Sequence, residues 1–116
     1  MGKLFFGALL LFSVSTAFAQ DKAPAGSPER GYQAYMKYQC YTCHGTVGQG
    51  GGAAGPRLAP SPMPLKAFEI QVRKPRRDMP AYREPFVSAQ EITDMHAYLL
   101  SIKPAAAPKD IPLLDF

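Results

Sequence analysis

Proline placement limits this chain more than any other feature. Of twelve prolines in 116 residues, none falls between Glu29 and Gly55 or between Phe86 and Lys103, whereas seven fall from Pro56 to Pro85. Proline inside a helix removes a hydrogen bond and clashes with the preceding turn. Longer helices are therefore confined to the two free windows and to the gap after Pro64. Ser27-Pro28-Glu29 supplies an N-cap, a proline at the first helical position and an acid in the first turn, which predicts a helix from Pro28 to about Gln39. A short helix is expected over Leu65–Arg73, with Leu65, Phe68 and Val72 on one face and a Glu69–Arg73 pair at i,i+4. Ser88-x-x-Glu91 is a capping box; Ile92, Met95, Leu99 and Ile102 then recur at helical spacing until Pro104. With no alternating strand pattern and no internal repeat, the expectation is a small all-α fold.

The N-terminus has another purpose. Lys3 precedes the apolar run Leu4–Phe12, and Ala17-Phe18-Ala19 follows small polar residues, the pattern of a secretory signal cut after Ala19. The run falls short of the ~20 residues that span a bilayer, so no stable membrane span is expected after cleavage. This gives a signal at 1–19, a flexible linker at 20–27, a folded domain at 28–103 and an extended Pro/Ala/Lys tail at 104–116. Without Lys3 the chain carries 12 basic and 9 acidic side chains, a net charge of +3. A mildly basic exported protein without an aromatic-interleaved basic face is not expected to bind nucleic acid.

The only cysteines are Cys40 and Cys43, and His44 follows at once. Cys-x-x-Cys-His is the attachment signature of c-type haem. Two thiols three residues apart can bond the two vinyl groups of a porphyrin, which brings the adjacent imidazole to the iron. Attachment takes place outside the cytoplasm, consistent with the signal segment. Three other readings compete. A disulfide is open to an exported chain. A thioredoxin-like pair needs a βαβ context. A zinc site needs a fourth ligand and must use Cys43 and His44 side by side. Two further patterns are decoys or ambiguous. Gly50-x-Gly52-x-x-Gly55 matches the dinucleotide fingerprint but follows no strand and opens no helix. Arg73-Lys74-Pro75-Arg76-Arg77 reads as a solvated loop, as a docking patch for an acidic redox partner, or as a source of charge for haem propionates.

From Pro28 to Ile102 the chain resembles class I c-type cytochromes. Cys40–His44 resembles their haem-binding motif. Gly31 and Tyr35 resemble the glycine and aromatic of the first helix, and Tyr98 the aromatic of the last helix that crosses it. Gly55-Pro56-Arg57-Leu58 resembles the proximal loop, and Met79-Pro80-Ala81-Tyr82 the bacterial distal-ligand motif. The resemblance implies crossing N- and C-terminal helices, a short middle helix and loops around one covalent haem c. Cys40 and Cys43 would attach it, His44 and Met79 would be the axial iron ligands, and the Pro56 carbonyl would accept from the His44 imidazole.

Other residues compete for the sixth position. Met36 lies on the helix leading into Cys40, and Met95 belongs to an apolar stripe. Met63 follows His44 too closely for the chain to pass comfortably round the porphyrin, and His96 would give a lower potential. Both axial sites filled by protein leave none for substrate. The expected function is therefore single-electron transfer in the periplasm rather than enzymatic catalysis. The chain would serve redox partner proteins as a free shuttle or as the cytochrome subunit of a periplasmic dehydrogenase. The alternative is a haem protein whose Met ligand leaves, acting on peroxide or sensing a diatomic gas.

Overall fold

The computed structural model describes residues 25–60 and 62–112. The signal segment expected over 1–19 lies outside them, as do the linker residues before 25 and the tail residues after 112. Among the described residues every regular element is helical: α1 (Pro28–Lys37), α2 (Tyr41–His44), α3 (Leu65–Arg73) and α4 (Ala89–Ser101), with 3₁₀ turns at Gly52–Ala54 and Pro108–Asp110. The all-α expectation holds.

The core forms where α1 crosses α4. A Cβ on Gly31 would sit 1.9 Å from the Asp94 carbonyl oxygen and 2.8 Å from the Tyr98 Cβ, so the two backbones meet only because that carbon is missing. Tyr35, Ile92 and Leu99 are almost wholly buried beside Met95 and Tyr98. Truncating Leu99 to alanine would cost about 2–5 kcal/mol. The Tyr32 and Tyr35 rings each lie 5.5 Å from the Tyr98 ring.

Two side chains close the crossing. Asp94 is 2% exposed and accepts from the Ser27 N–H, the Arg30 guanidinium and the Gln90 amide. The Arg30 bonds outweigh the opposing effect of burial and hold the Asp94 carboxyl below its ordinary range. The linker expected over 20–27 is thereby shortened. A Cβ on Gly26 would meet the Thr93 carbonyl and the Ala97 Cβ, and Ser27 bonds Asp94, so this end of the segment is seated on α4.

α1 ends earlier than its sequence suggests, at Lys37 rather than near Gln39. Gln39 takes a φ of 58°; its N–H donates to the Met36 carbonyl and the Cys40 N–H to the Tyr35 carbonyl. This is a Schellman reversal with glutamine where glycine is usual. α3 also departs from expectation. Phe68 and Val72 are buried, but Leu65 is 38% exposed. The Glu69–Arg73 pair does not form. Glu69 pairs with Lys66, and Arg73 turns to the carbonyls of Tyr82 and Val87. A sheltered pair of carbonyl acceptors outcompetes an exposed helix pair worth only ~0.3–0.5 kcal/mol.

Candidate functional site

The reversal at Gln39 sets Cys40 at the start of a new turn, and α2 carries Cys43 and His44 directly after it. Both cysteines are free thiols and partly exposed. Burial pushes the Cys40 thiol up to about 11, against a smaller opposing effect of a backbone hydrogen bond. His44 is 9% exposed, and its Nδ1 lies 2.8 Å from the Pro56 carbonyl oxygen. A carbonyl can only accept, so Nδ1 carries the proton and Nε2 is the nitrogen with a lone pair to offer.

The glycine-rich loop wraps the end of α2. Cβ atoms on Gly51 and Gly55 would lie 2.5 and 2.8 Å from the Cys43 carbonyl oxygen, and that on Gly55 also 3.0 Å from His44 Nδ1. These glycines therefore serve close approach to the chain's own backbone; within the dinucleotide-like spacing, Gly55 shares that role, while Gly50 and Gly52 take positive φ values of 91° and 61°. The Gly50 N–H donates to the His44 carbonyl. Two tyrosines from the core reach the same turn. The Tyr35 hydroxyl donates to the Gly45 carbonyl and the Tyr98 hydroxyl to the Thr46 carbonyl, each at 2.8 Å.

Met79 lies in the loop after α3, half-buried against the core. The Gln71 amide donates to its Sδ at 3.8 Å. Met79 also borders an open cleft of about 800 Å³ with Glu69, Arg73, Lys74, Arg83 and Glu84. Just beyond, the Tyr82 N–H donates to the Val72 carbonyl and its hydroxyl to the Tyr38 carbonyl. Burial raises the Tyr82 pKa, and the nearby sulfurs of Cys40 and Cys43 raise it further. Tyr82 therefore joins the Met79 loop to the end of α1, just ahead of the cysteine turn.

Two of the rival ligands, His96 and Met95, are engaged elsewhere. His96 has its Nε2 2.8 Å from the Met63 carbonyl oxygen, and its ring lies 5.5 Å from that of Phe68. Met63 is 41% exposed and Met95 is buried in the core. The basic run divides in two. Lys74, Arg76 and Arg77 are exposed, whereas the Arg73 side chain is only 15% exposed and is spent on the chain itself. The roles of Gln71, Arg73 and Asp94 escaped sequence reasoning. Each acts on a partner distant in sequence or across a loop, and no local motif marks it.

This donor set fits a covalently held haem. Two thiols flank one turn, an imidazole has one nitrogen committed and one available, and glycines take the space that a Cβ would fill at His44. The family described as cytochrome C oxidase, cbb3-type, subunit III matches residues 26–99. No curated protein and no solved structure matches the chain.

Proposed function

Since the chain belongs to the c-type cytochrome family matched over residues 26–99, an electron-carrying haem family, we propose that it is an exported carrier of single electrons. Cys40 and Cys43 would hold the haem through thioethers, and His44 Nε2 and Met79 Sδ would be its axial ligands. When bound, the haem supplies a one-electron couple, which thioether ligation shifts to positive potential.

The observation that carries the reading is the 2.8 Å contact between His44 Nδ1 and the Pro56 carbonyl. A metal-bound histidine ordinarily donates its second ring N–H to such an acceptor, which fixes the tautomer and raises ligand basicity. With His44 and Met79 both holding the group, no position would be left for substrate, and outer-sphere exchange would be favoured.

The exposed Lys74, Arg76 and Arg77 precede Met79 in the same loop, where their charge would steer an acidic redox partner towards productive encounters. The periplasm is the proposed location, with the segment over 1–19 as the export signal. Among the described residues no helix is long and apolar enough to cross a membrane.

A pyridine haemochrome spectrum tests attachment. The two-thioether form is expected, shifting in Cys40→Ala and in Cys43→Ala; an unchanged spectrum in either variant overturns it. Oxidised protein should show the near-infrared band of methionine-to-iron charge transfer, lost in Met79→Ala and kept in Met63→Ala. Carbon monoxide binding by the unmodified reduced protein would favour the gas-sensing or peroxide-reactive alternative.

A further inference from the structure

The loop carrying Met79 begins and ends on the same turn of α3. The Val72 carbonyl accepts from the Tyr82 N–H at 3.0 Å. The next residue, Arg73, reaches over the junction. Its Nη1 donates to the Tyr82 carbonyl at 3.0 Å and to the Val87 carbonyl, and its Nη2 lies 3.3 Å from a Glu84 carboxylate oxygen. Residues 83–87 fold round this guanidinium as a turn, with the Phe86 and Val87 N–H groups donating to the Arg83 carbonyl.

Within the basic run, Arg73 thus has a different task from its neighbours. Its side chain is 15% exposed, and its ion-pair partner Glu84 is 71% exposed. An exposed pair of this kind contributes little. The two carbonyl bonds are the stronger contacts, since each is charge-assisted and both leave Nη1, whose two hydrogens are fixed in the guanidinium plane.

We propose that Arg73 is the positioning residue of the Met79 loop: its guanidinium ties Tyr82 and Val87 to α3 and so fixes where Met79 presents its sulfur. This deepens the reading of Met79 as axial ligand and rests on it. Among the described residues Arg73 makes no hydrogen bond to the sulfur or to the cysteines; it acts by closing residues 74–81 at their base. A lysine would keep the charge but not the directions: the two N–H bonds of Nη1 are fixed in the guanidinium plane, whereas an ammonium turns freely on a flexible stem and holds two carbonyls less firmly. A methionine would leave both carbonyls without their donor.

The test compares holoprotein variants Arg73→Met and Arg73→Lys with Lys66→Gln, a neutralisation on the exposed part of the same helix. Amide hydrogen exchange should accelerate at least tenfold at Tyr82, Phe86 and Val87 in Arg73→Met, with α1 and α4 amides unchanged. The near-infrared methionine band should weaken, and the reduced protein should begin to bind carbon monoxide. Arg73→Lys should fall between wild type and Arg73→Met, and Lys66→Gln should match wild type. Equal acceleration in α1 and α4 would mark Arg73 as a general stabiliser and overturn the proposal. So would an Arg73→Met protein with wild-type exchange, band and carbon monoxide response. If the unmodified oxidised protein lacks the methionine band, the reading of Met79 as ligand fails by itself. The exchange rates still decide whether Arg73 holds the loop.

Discussion

The His44 loop and the Met79 loop are held by different kinds of contact. Around His44, backbone packs on backbone: Gly51 and Gly55 lie against the Cys43 carbonyl, and Gly50 bonds the carbonyl of His44. The Tyr35 and Tyr98 hydroxyls add to this. Around Met79 one backbone bond, from the Tyr82 N–H to the Val72 carbonyl, is joined by side-chain contacts from Gln71, Arg73 and Tyr82, with no comparable packing of backbone on glycine among the described residues. Backbone contacts cannot be relieved by turning a rotamer, whereas side-chain contacts can open singly. The side that would bear the proposed covalent links is thus also the stiffer one. Met79, the proposed thioether ligand, sits on the side that can yield.

The largest effect should come from adding one carbon to the stiff side. A Cβ at Gly51 would stand 2.5 Å from the Cys43 carbonyl oxygen, with backbone on both sides of the conflict. Gly51→Ala should cost about 2–3 kcal/mol, lowering the melting temperature by roughly 10–20 °C. A melting curve close to wild type would mean that the loop gives way, and the contrast between the loops would collapse.

A smaller pair of changes sets the two sides against each other. Tyr98→Phe removes the hydroxyl bonded to the Thr46 carbonyl, and Tyr82→Phe the hydroxyl bonded to the Tyr38 carbonyl. Each should cost about 1 kcal/mol in thermal or denaturant unfolding. Only Tyr82→Phe should also speed amide exchange across residues 79–87. Matching exchange profiles in the two variants would show that the loops are equally stiff.

What the sequence made legible follows the same division. Helix ends were readable because caps are local: Ser27 accepts from the Arg30 N–H, and Ser88 and Glu91 close the capping box as their spacing implies. The end of α1 was not, because a glutamine stands where glycine would have marked the reversal. The Pro56 carbonyl was placed by resemblance, and the contact to His44 is present. The basic run illustrates the limit. Five residues written together suggested one charged patch, but a carbonyl pair beyond the next loop captures Arg73 alone. Such long-range polar capture has no periodicity to read.

Acid should separate the loops without mutation. No aspartate or glutamate occurs between Glu29 and Glu69, the stretch that includes the whole His44 loop. The Met79 side leans on Glu91, which accepts from the Tyr38 hydroxyl at 2.8 Å; the same hydroxyl reaches the Phe86 carbonyl. Burial alone would raise the Glu91 pKa. Hydrogen bonds from Ser88, Tyr38 and Lys37 together exceed that effect and hold the carboxyl at about 2, below its ordinary 4.5. A depressed carboxyl contributes its full stabilisation above the unfolded value, and loses it as pH falls from about 4.5 towards about 2. Over that window amides at 82–87 should quicken before that of Gly50. Glu91→Gln should be less stable at pH 7 and show a flatter dependence on acid. An acid profile identical to wild type would remove Glu91 from the account. Asp94 is also held low, but its partners Arg30, Ser27 and Gln90 act at the crossing of α1 and α4.

The smallest effect concerns a feature the loops share. Each carries one side-chain-bearing residue in the left-handed region, Gln39 at φ 58° beside Cys40 and Arg77 at φ 59° two residues before Met79. That conformation costs an L-residue roughly 1–2 kcal/mol, which glycine avoids while giving back up to ~1 kcal/mol in unfolded-chain entropy. At Gln39 the reversal is fixed by the Cys40 and Gln39 N–H bonds into the last turn of α1, so a glycine would find its place already determined. Gln39→Gly should therefore stabilise by about 0.5 kcal/mol, with the haem spectrum unchanged. Arg77 lies in the loop that yields, where glycine relieves the same strain but also frees the chain that presents Met79. Arg77→Gly should leave stability nearly constant while weakening the methionine band. If the two glycine variants behave alike, the difference between the loops does not reach their backbones, and the softness of the Met79 side resides in its side chains alone.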